Sequence, residues 1–376
     1  MCTLTVEPVA TRAARREFLE LPWRLYHGDP RWVPPLRREQ AELVGYRPHP
    51  FYQQNAAQTF LVFRGREVCG RIAAIDNRIH NDYHAERVGF FGFFECIDDV
   101  EAAAGLFDAA ERWLAGRGLR AMRGPASPSI NYTIGTLIDG FDRPPAMMMP
   151  YNPPYHARLI ESCGFRKIQD LYAYYGHRRQ LDAVKQRLDP VADQIAERYA
   201  IRIRHMRRWR LRRDLRAFLG VLNRSLSGHW GFVPFSEGEL GRMARGLAWL
   251  LLPELAVGAE IDGRLVGVVL LLPDYAERIR RIDGRLLPLG WLRLLWRKRS
   301  IRRYRLVAAN VVPEFQLHGV SMVLMKHLGI LASRYGAEEV EIGWIAESNR
   351  LSYGSLEKGG AERAKTYRVY QRDIAG

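Results

Sequence analysis

The chain carries a weak internal repeat, and a repeat of this length restricts the fold to a duplicated domain. Residues 64–76 resemble residues 262–274. Each segment reads as a charged hairpin turn followed by an apolar strand, with a glycine, Gly70 or Gly267, at the same point of the segment. One match of this kind can arise by chance, so a second match is needed to support a duplication.

A second match lies near the end of each half. Residues 159–167 correspond to residues 355–363, and each segment contains a glycine, Gly164 or Gly360, before a tyrosine-rich strand. The separations of the two glycine pairs agree to within one residue. Two matches at one period predict a duplication with its boundary near residues 178–200.

The order of elements is also the same in both halves. Each half begins with a helix, at residues 12–25 and 212–226, and continues with strands, a long helix, a strand, a short helix and a final strand. Strands and helices mixed around one sheet indicate an α/β fold with α+β layering. We therefore predict two tandem domains, residues 1–180 and 181–376, each a mixed central sheet flanked by helices.

The composition is that of a globular protein with a strong positive charge. Of the 376 residues, 47% are hydrophobic, and the formal net charge is +16. This charge favours a nucleic acid or a membrane surface as partner, but nearly all basic residues are arginine, which equally fits a GC-rich genome. The four cysteines form no CxxC or Cys/His cluster, so neither a disulfide framework nor a metal site is predicted.

No segment reads as a signal peptide or a membrane span. The N-terminal segment lacks the apolar core of a secretion signal. The most apolar stretches, residues 247–258 and 265–272, are shorter than the roughly 20 residues that a spanning helix needs. We predict a cytoplasmic protein that is at most peripheral, at the inner face of the membrane.

The segment with the most chemical content is residues 306–331. An apolar strand ends at Pro313, a short loop follows, and an amphipathic helix starts near Gly319. Gly319 and Ser321 leave the backbone N–H groups of the helix start unhindered, and the helix dipole adds positive potential there. Such a helix start is suited to binding a pyrophosphate.

This strand, loop and helix resemble the acyl-CoA signature of the GNAT superfamily, Gln/Arg-x-x-Gly-x-Gly/Ala after a strand that ends in Val-x-Pro. Gln316, Gly319 and Ser321 match its spacing, and the family similarly places an Asn after the next strand. The resemblance implies acyl-CoA as co-substrate and no metal. The cofactor-binding residues that it implies are Val311, Val312, Gln316, Leu317, His318, Gly319, Val320, Ser321 and Asn349.

One position departs from the superfamily pattern. The tyrosine that commonly protonates the leaving thiolate aligns with Leu356. Tyr353 lies three residues earlier, on the same face of the short helix, because residues three or four apart are neighbours. Tyr353 is therefore the candidate general acid, and a buried structural tyrosine is the alternative.

The N-terminal half has no equivalent phosphate site. Its strand–helix junction, residues 89–99, carries Asp98 and Asp99 where the open amides should lie. Two carboxylates at a helix start repel a pyrophosphate. We predict that this half is a degenerate copy that shapes the acceptor cleft.

Five longer phrases of the first half carry a narrower resemblance: residues 23–36, 90–95, 124–131, 140–145 and 151–155. Together they resemble the bacterial double-GNAT family that includes the bacterial ceramide synthases. The resemblance implies transfer of a fatty acyl group from a thioester, on CoA or on acyl carrier protein, to the amine of a sphingoid base.

A basic amphipathic insertion, at about residues 284–305, supports a lipid acceptor independently. It combines leucines, Trp291 and Trp296 with basic residues, and it contains no acid. Tryptophan at the headgroup level and arginine on anionic lipid are typical of interfacial segments. The alternative is an insertion whose leucines and tryptophans pack on the domain.

Direct transfer needs a base for the amine proton and a donor for the oxyanion. The candidate bases are Glu95, His229 and Glu347, and a strand N–H near Val312 is the candidate oxyanion donor. Each base has a structural alternative: a salt-bridged strand end for Glu95, a surface histidine for His229, and a cap of the short helix for Glu347.

Three other functions stay open. An acetyl-CoA-dependent enzyme would acetylate a small amine or a protein. A Fem-type transferase would use aminoacyl-tRNA, and the basic residues 202–216 would suit RNA phosphates. The loop 316–321 argues against it, since a tRNA donor needs no pyrophosphate site, so a nucleic-acid partner is disfavoured. A non-catalytic membrane-surface module is the third alternative, suggested by Leu356.

Overall fold

A computed structural model of the protein describes residues 3–374, and for residues 181 and 183–188 it describes the backbone alone. The chain forms two compact units. Unit 1 comprises Met1–Leu171, Ala276–Trp291 and Lys365–Gly376, and unit 2 comprises Tyr172–Tyr275 and Leu292–Ala364. The units are interleaved along the chain, and the boundary predicted at residue 180 falls within the helix Arg178–Arg198.

The first half of the chain contains nine strands and five helices among its described residues. In chain order they are β1 (Leu4–Pro8), α1 (Arg12–Leu25), α2 (Arg37–Leu43), β2 (Ala56–Arg64), β3 (Glu67–Asp76), α3 (Arg78–His84), β4 (Val88–Cys96), α4 (Val100–Ala115), β5 (Ala121–Gly124), β6 (Ala126–Ser127), β7 (Thr133–Ile134), β8 (Thr136–Asp139), α5 (Tyr155–Ser162) and β9 (Arg166–His177).

The second half repeats this order, with no counterpart of β6–β8 among its described residues and with a longer connection between β12 and β13. Its elements are α6 (Arg178–Arg198), β10 (Arg202–His205), α7 (Leu211–Ser225), α8 (Glu237–Leu250), β11 (Ala256–Ile261), β12 (Arg264–Pro273), α9 (Ala276–Arg281), α10 (Gly290–Leu295), β13 (Arg303–Val311), α11 (Val320–Arg334), β14 (Glu339–Ala346), α12 (Arg350–Lys358) and β15 (Glu362–Asp373).

Each unit is built on a mixed sheet flanked by helices, which confirms the predicted fold class. In unit 1 the strand order is β1-β2-β3-β4-β5, with β4 and β5 parallel and the other neighbours antiparallel. In unit 2 the order is β10-β11-β12-β13-β14, with β13 and β14 parallel. One parallel pair at the same place in each sheet reflects the repeat found in the sequence.

The long helix of each unit packs on the sheet through a strand glycine. A Cβ on Gly70 of β3 would lie 2.9 Å from Leu106 of α4, and a Cβ on Gly267 of β12 would lie 2.9 Å from Leu324 of α11. Both leucines are fully buried, a contribution of about 1.5–3 kcal/mol each. The repeated glycines are therefore the contact points at which each helix packs closely on its sheet.

The second pair of repeated glycines, Gly164 and Gly360, is explained by the backbone conformation. Gly164 ends the turn after α5 with φ +81°, and Gly360 ends the turn after α12 with φ +84°. L-residues rarely adopt this left-handed conformation, and glycine adopts it without strain. Both repeat matches thus correspond to backbone requirements of the same fold.

Candidate active site

The parallel strands of unit 2 separate partway along their length. β13 and β14 pair from Arg303 opposite Glu339 to Leu306 opposite Ile342, and they pair no further within the described chain. A bulge in β13 at this point shifts its register with β12 between Leu270 and Leu271. The rest of β13 therefore presents backbone N–H groups without a strand partner among the described residues on the side from which β14 has departed.

The register of β13 identifies the donors on that side. The N–H of Val312 donates to the carbonyl of Val266 at 2.9 Å, so it belongs to the ladder with β12. Because antiparallel strands alternate bonded and outward-facing residues, the N–H groups of Val311 and Ala309 point away from β12. The strand N–H near Val312 that has the direction an oxyanion donor needs is therefore that of Val311.

The loop after β13 leads into a helix start without a side-chain cap. A 3-10 turn covers Pro313–His318, and Gly319 follows with φ +70°, as the N-cap of α11. No side chain within the described chain caps this helix, and Ser321 is exposed. The first amides of α11 are thus left for an anion, as the sequence predicts.

The other loop residues have distinct environments. Gln316 donates through Nε2 to the Val311 carbonyl at 3.3 Å, and the Leu317 side chain is 99% exposed. The His318 ring lies against the rings of Tyr199 and Phe315, and its buried Nδ1 has no hydrogen-bond partner among residues 3–374.

Two residues at the helix start pack inward. Val320 is fully buried, and a Cβ on Gly319 would lie 2.8 Å from Ile195 of α6. Gly319 thus serves packing against α6 as well as the loop conformation.

Two features that are open in unit 2, the gap between the parallel strands and the start of the long helix, are filled and capped in unit 1. β4 and β5 pair only from Val88 to Phe90 in the described chain, but the space beyond is filled by β6. The Phe93 N–H donates to Ser127 Oγ at 2.8 Å, and a Cβ on Gly92 would lie 2.0 Å from the Ala126 carbonyl oxygen. The chain's own backbone therefore occupies the gap between the diverging strands.

The helix start of unit 1 is also satisfied internally. Asp99 caps α4, accepting hydrogen bonds from the amides of Glu101 and Ala102 at 3.0 and 3.2 Å, and it also pairs with Arg64. These contacts agree with the sequence argument that Asp98 and Asp99 leave no phosphate site in this half.

The filled gap of unit 1 leaves no room for a side chain at Gly92, and a substitution at this residue tests that arrangement. Gly92→Ala should destabilise the protein by about 3 kcal/mol, because the new methyl group meets backbone that cannot rotate away. Chemical denaturation measures the free energy of unfolding. Gly246→Ala in α8 is the matched control: it has nothing within 4 Å and should gain about 1 kcal/mol. Equal stabilities for the two variants would contradict the filled gap.

The predicted groups around α12 have separate local roles. Asn349 is the N-cap of α12, and its side chain accepts from the Ser352 N–H at 3.2 Å. Asn349 thus occupies the N-cap position, and Glu347 lies half-buried in the turn between β14 and α12. The Tyr353 ring packs edge-on against Tyr172 with centroids 5.7 Å apart and remains half-buried.

Glu95 lies in a buried polar cluster of unit 1. Its Oε2 accepts a hydrogen bond from the Tyr26 hydroxyl at 2.6 Å, and its Oε1 lies 3.7 Å from Nη2 of the buried Arg71. Burial raises the pKa of Glu95 to about 7, against the opposing effects of Arg71 and the Tyr26 hydrogen bond. The pKa of Tyr26 is also raised, mainly by burial, so its hydroxyl stays a donor.

An aromatic wall adjoins this carboxyl group. Tyr26 stacks on Trp32 with centroids 5.0 Å apart and lies 5.9 Å from the ring of Tyr151. The Tyr151 hydroxyl donates to Asp29 Oδ2 at 2.6 Å. Sequence reasoning gave no role to Tyr26 or Arg71, although an arginine within the otherwise apolar β3 was a usable signal.

The third candidate base, His229, does not belong to a buried polar cluster like that of Glu95. His229 is exposed in the loop after α7, where its N–H donates to the Leu226 carbonyl at 2.9 Å. Of the four predicted catalytic residues, Glu95 belongs to unit 1, and His229, Glu347 and Tyr353 belong to unit 2.

The basic amphipathic insertion exposes most of its apolar side chains. Trp291 is 44% exposed, Trp296 69% and Leu287 77%, whereas Leu294 is buried. Both tryptophans therefore keep a large exposed surface, while Leu294 packs inward. Within residues 3–374, no helix has the length and apolar character to cross a membrane.

The fold and the open strand pair define a tandem GNAT protein, the class of N-acyltransferases with two such domains. A tandem GNAT protein of clavulanic acid biosynthesis aligns with the whole chain at a TM-score of 0.57 and 12% identity, over 99% of its own length. A GCN5-related N-acetyltransferase from Sphaerobacter thermophilus aligns over 99% of the chain and 96% of its own, at a TM-score of 0.53 and 12% identity. At these identities the likeness shows the fold.

Two curated relatives are much more similar in sequence. The bacterial ceramide synthase of Caulobacter vibrioides is 34% identical over 99% of this chain and 98% of its own length. Protein YghO of Escherichia coli K12 is 33% identical over 96% and 93%. No family model matches the chain. The chain belongs to the bacterial ceramide synthase-like family of tandem GNAT proteins.

Proposed function

We propose that the protein transfers a long-chain fatty acyl group from acyl-CoA to the amine of a sphingoid base. The observation that carries the proposal is the pair of open features in unit 2: the separated strands β13 and β14 and the uncapped start of α11. A thioester arm fits between separated strands, where it can hydrogen-bond to the unpaired backbone, and a pyrophosphate fits an uncapped helix start. The acceptor class is carried over from the relative named a ceramide synthase.

The cofactor residues divide into four roles in this proposal. Val311 and Val312 line the end of β13, and the Val311 N–H stabilises the oxyanion. The amides at Gly319, Val320 and Ser321 hold the pyrophosphate. Gln316, Leu317 and His318 form the loop between these two sites, and Asn349 fixes the start of α12.

The chemistry needs one base and one acid. The acceptor nitrogen attacks the thioester carbonyl, the new C–N bond forms, and the C–S bond breaks. Glu95 takes the amine proton, because a carboxyl group with a pKa of about 7 is half ionised at neutral pH. Tyr353 donates a proton to the leaving thiolate. His229 and Glu347 remain the alternative bases.

The membrane supplies the acceptor in this proposal. The exposed Trp291 and Trp296 enter the headgroup region, and the arginines of the insertion contact anionic lipid. The protein would then be cytoplasmic and peripheral at the inner face of the membrane. Acyl carrier protein is the alternative donor.

Free-thiol release tests the reaction. Purified protein is given acetyl-CoA or palmitoyl-CoA, each with and without a long-chain amino alcohol or its keto form. We expect thiol release only from palmitoyl-CoA with the sphingoid acceptor, and mass spectrometry should find the amide product.

The other outcomes identify the alternatives. Release from acetyl-CoA with a small amine would favour the acetyltransferase that the solved neighbours' names suggest. Tight CoA binding without release from any pair would point to another amine, and absence of CoA binding would overturn the cofactor assignment.

A further inference from the structure

The surface of unit 2 carries a groove that the acyl-transfer chemistry does not use. Its volume is about 670 Å³. It is formed by the turn before α7, the start of α7 and the end of α8. We name it the Trp–Arg groove, and its lining includes Arg208, Trp209, Arg210, Arg212, Arg213 and Trp249.

The two tryptophans of the groove are unusually exposed. Trp209 is 70% exposed and Trp249 is 62% exposed. Large aromatic side chains at neighbouring exposed positions mark a surface that binds something. Tryptophan in particular is enriched where an apolar body meets a polar headgroup layer.

The arginines give the groove an uncompensated positive charge. Arg208 lies 3.0 Å from Glu254, and the same carboxylate is shared with Arg299 at 3.3 Å. The Arg210 guanidinium stacks on Trp209 at 4.2 Å. Within the described chain, neither Arg212 nor Arg213 has a carboxylate at ion-pair distance, so the groove is complementary to an anion.

A half-buried lysine of the basic amphipathic insertion contacts the chain at this groove within unit 2. Lys298 donates to the carbonyl of Leu251 at 2.8 Å and to that of Trp249 at 3.4 Å. Trp296, two residues before Lys298, is 69% exposed. Two tryptophan- and arginine-rich segments that are distant in sequence therefore share one surface.

We propose that the Trp–Arg groove binds the phosphate headgroup of an anionic glycerophospholipid in a bilayer. The arginines contact the phosphate, and Trp209 and Trp249 lie at headgroup depth. The exposed Leu292 and Trp296, which precede Lys298 in unit 2, favour a membrane over RNA, because RNA phosphates have no use for an exposed leucine. The inference extends the proposed function, since it supplies a docking site beside a lipid substrate, but binding is measurable without any turnover.

Vesicle flotation with the full-length protein tests the groove. The vesicles contain either phosphatidylcholine alone or phosphatidylcholine and phosphatidylglycerol in equal parts. The double variant R212Q/R213Q should bind the anionic vesicles about thirty-fold more weakly, because each basic group near such a surface strengthens binding about five-fold. W209S/W249S should weaken binding to both kinds of vesicle.

A charge-matched control separates the groove from general attraction. R12Q/R16Q removes two exposed arginines of α1, and it should leave vesicle binding nearly unchanged. Equal losses for R212Q/R213Q and R12Q/R16Q would overturn the proposal. So would salt-sensitive tRNA binding that R212Q/R213Q abolishes while vesicle binding persists.

The failure of this inference can be told apart from that of the proposed function. Thiol release with acceptor dispersed in detergent should stay within about two-fold for R212Q/R213Q, because no bilayer docking is needed there. Loss of vesicle binding with retained turnover supports the groove. Inorganic phosphate that displaces the protein from vesicles at low concentration would overturn it in favour of a free-phosphate site.

Discussion

Replacing Glu95 by glutamine should lower kcat for acyl transfer by about a hundred-fold or more, with a much smaller change in KM. Glutamine has the shape of the carboxyl group and can still accept the hydrogen bond from Tyr26, which is 2.6 Å long. It cannot take a proton from the attacking amine. Steady-state thiol release measures the effect, and His229→Gln and Glu347→Gln are the comparison variants.

The pH dependence of the rate provides a second readout for Glu95. Because the base must be ionised, wild-type kcat should rise with pH through about 7, the pKa of Glu95. The residual activity of Glu95→Gln should lack this step. If the step persisted in the variant, the base would be another group, and a matching loss in H229Q or E347Q would identify it.

Stability should show the opposite dependence on pH. The folded-state pKa of Glu95, about 7, lies above its ordinary value of 4.5. Stability from this group is present below pH 4.5 and is lost as pH rises through 7, since the unfolded state ionises first. Between about pH 4 and pH 8 the stability of Glu95→Gln relative to wild type should therefore increase by about 3 kcal/mol. Denaturant titration at several pH values measures this slope.

Ser321→Asp should raise KM for acyl-CoA by roughly ten- to a hundred-fold, because it places a carboxylate beside the pyrophosphate site. The change imitates unit 1, where Glu101 is the second residue of α4 as Ser321 is the second residue of α11. The same carboxylate should leave Tm unchanged or slightly raised, because an acidic side chain in the first turn interacts favourably with the helix dipole.

The opposite signs for binding and stability make this test specific. Ser321→Ala is the matched control, and it should leave KM within about two-fold because the backbone amides remain. An aspartate variant that binds CoA as tightly as wild type would remove the helix start of α11 from the cofactor site.

Backbone requirements made much of the fold predictable. Gly70 and Gly267 recur because a long helix packs on each, and the first helix was predicted at residues 12–25, where α1 lies. The helix predicted at 212–226 is α7, displaced by one residue. These features depend on local periodicity or on one close contact, and both leave a trace in the sequence.

Features that depend on register could not be predicted in this way. Arg71 lies opposite Glu95 because of the register of β3 and β4, which includes a bulge between Arg71 and Ala73. No local sequence pattern fixes that register. The filling of the unit 1 gap by Ala126 and Ser127 also depends on the path of the chain after β5. The prediction of an oxyanion donor near Val312 could not name the residue for the same reason, since strand alternation decides which N–H is outward.

Because the units are interleaved along the chain, unit 1 cannot complete its fold during synthesis until its last segment, which begins at Lys365, has been made. Tyr370 belongs to the core of unit 1, and residues 370–373 pair with β5. Most of unit 1 is synthesised before β15. Until β15 is made, the sheet of unit 1 has an open edge at β5. Such an edge is a template for misassociation with other nascent chains. Synthesis of β15, rather than emergence of the first half, is therefore the step that completes the sheet of unit 1.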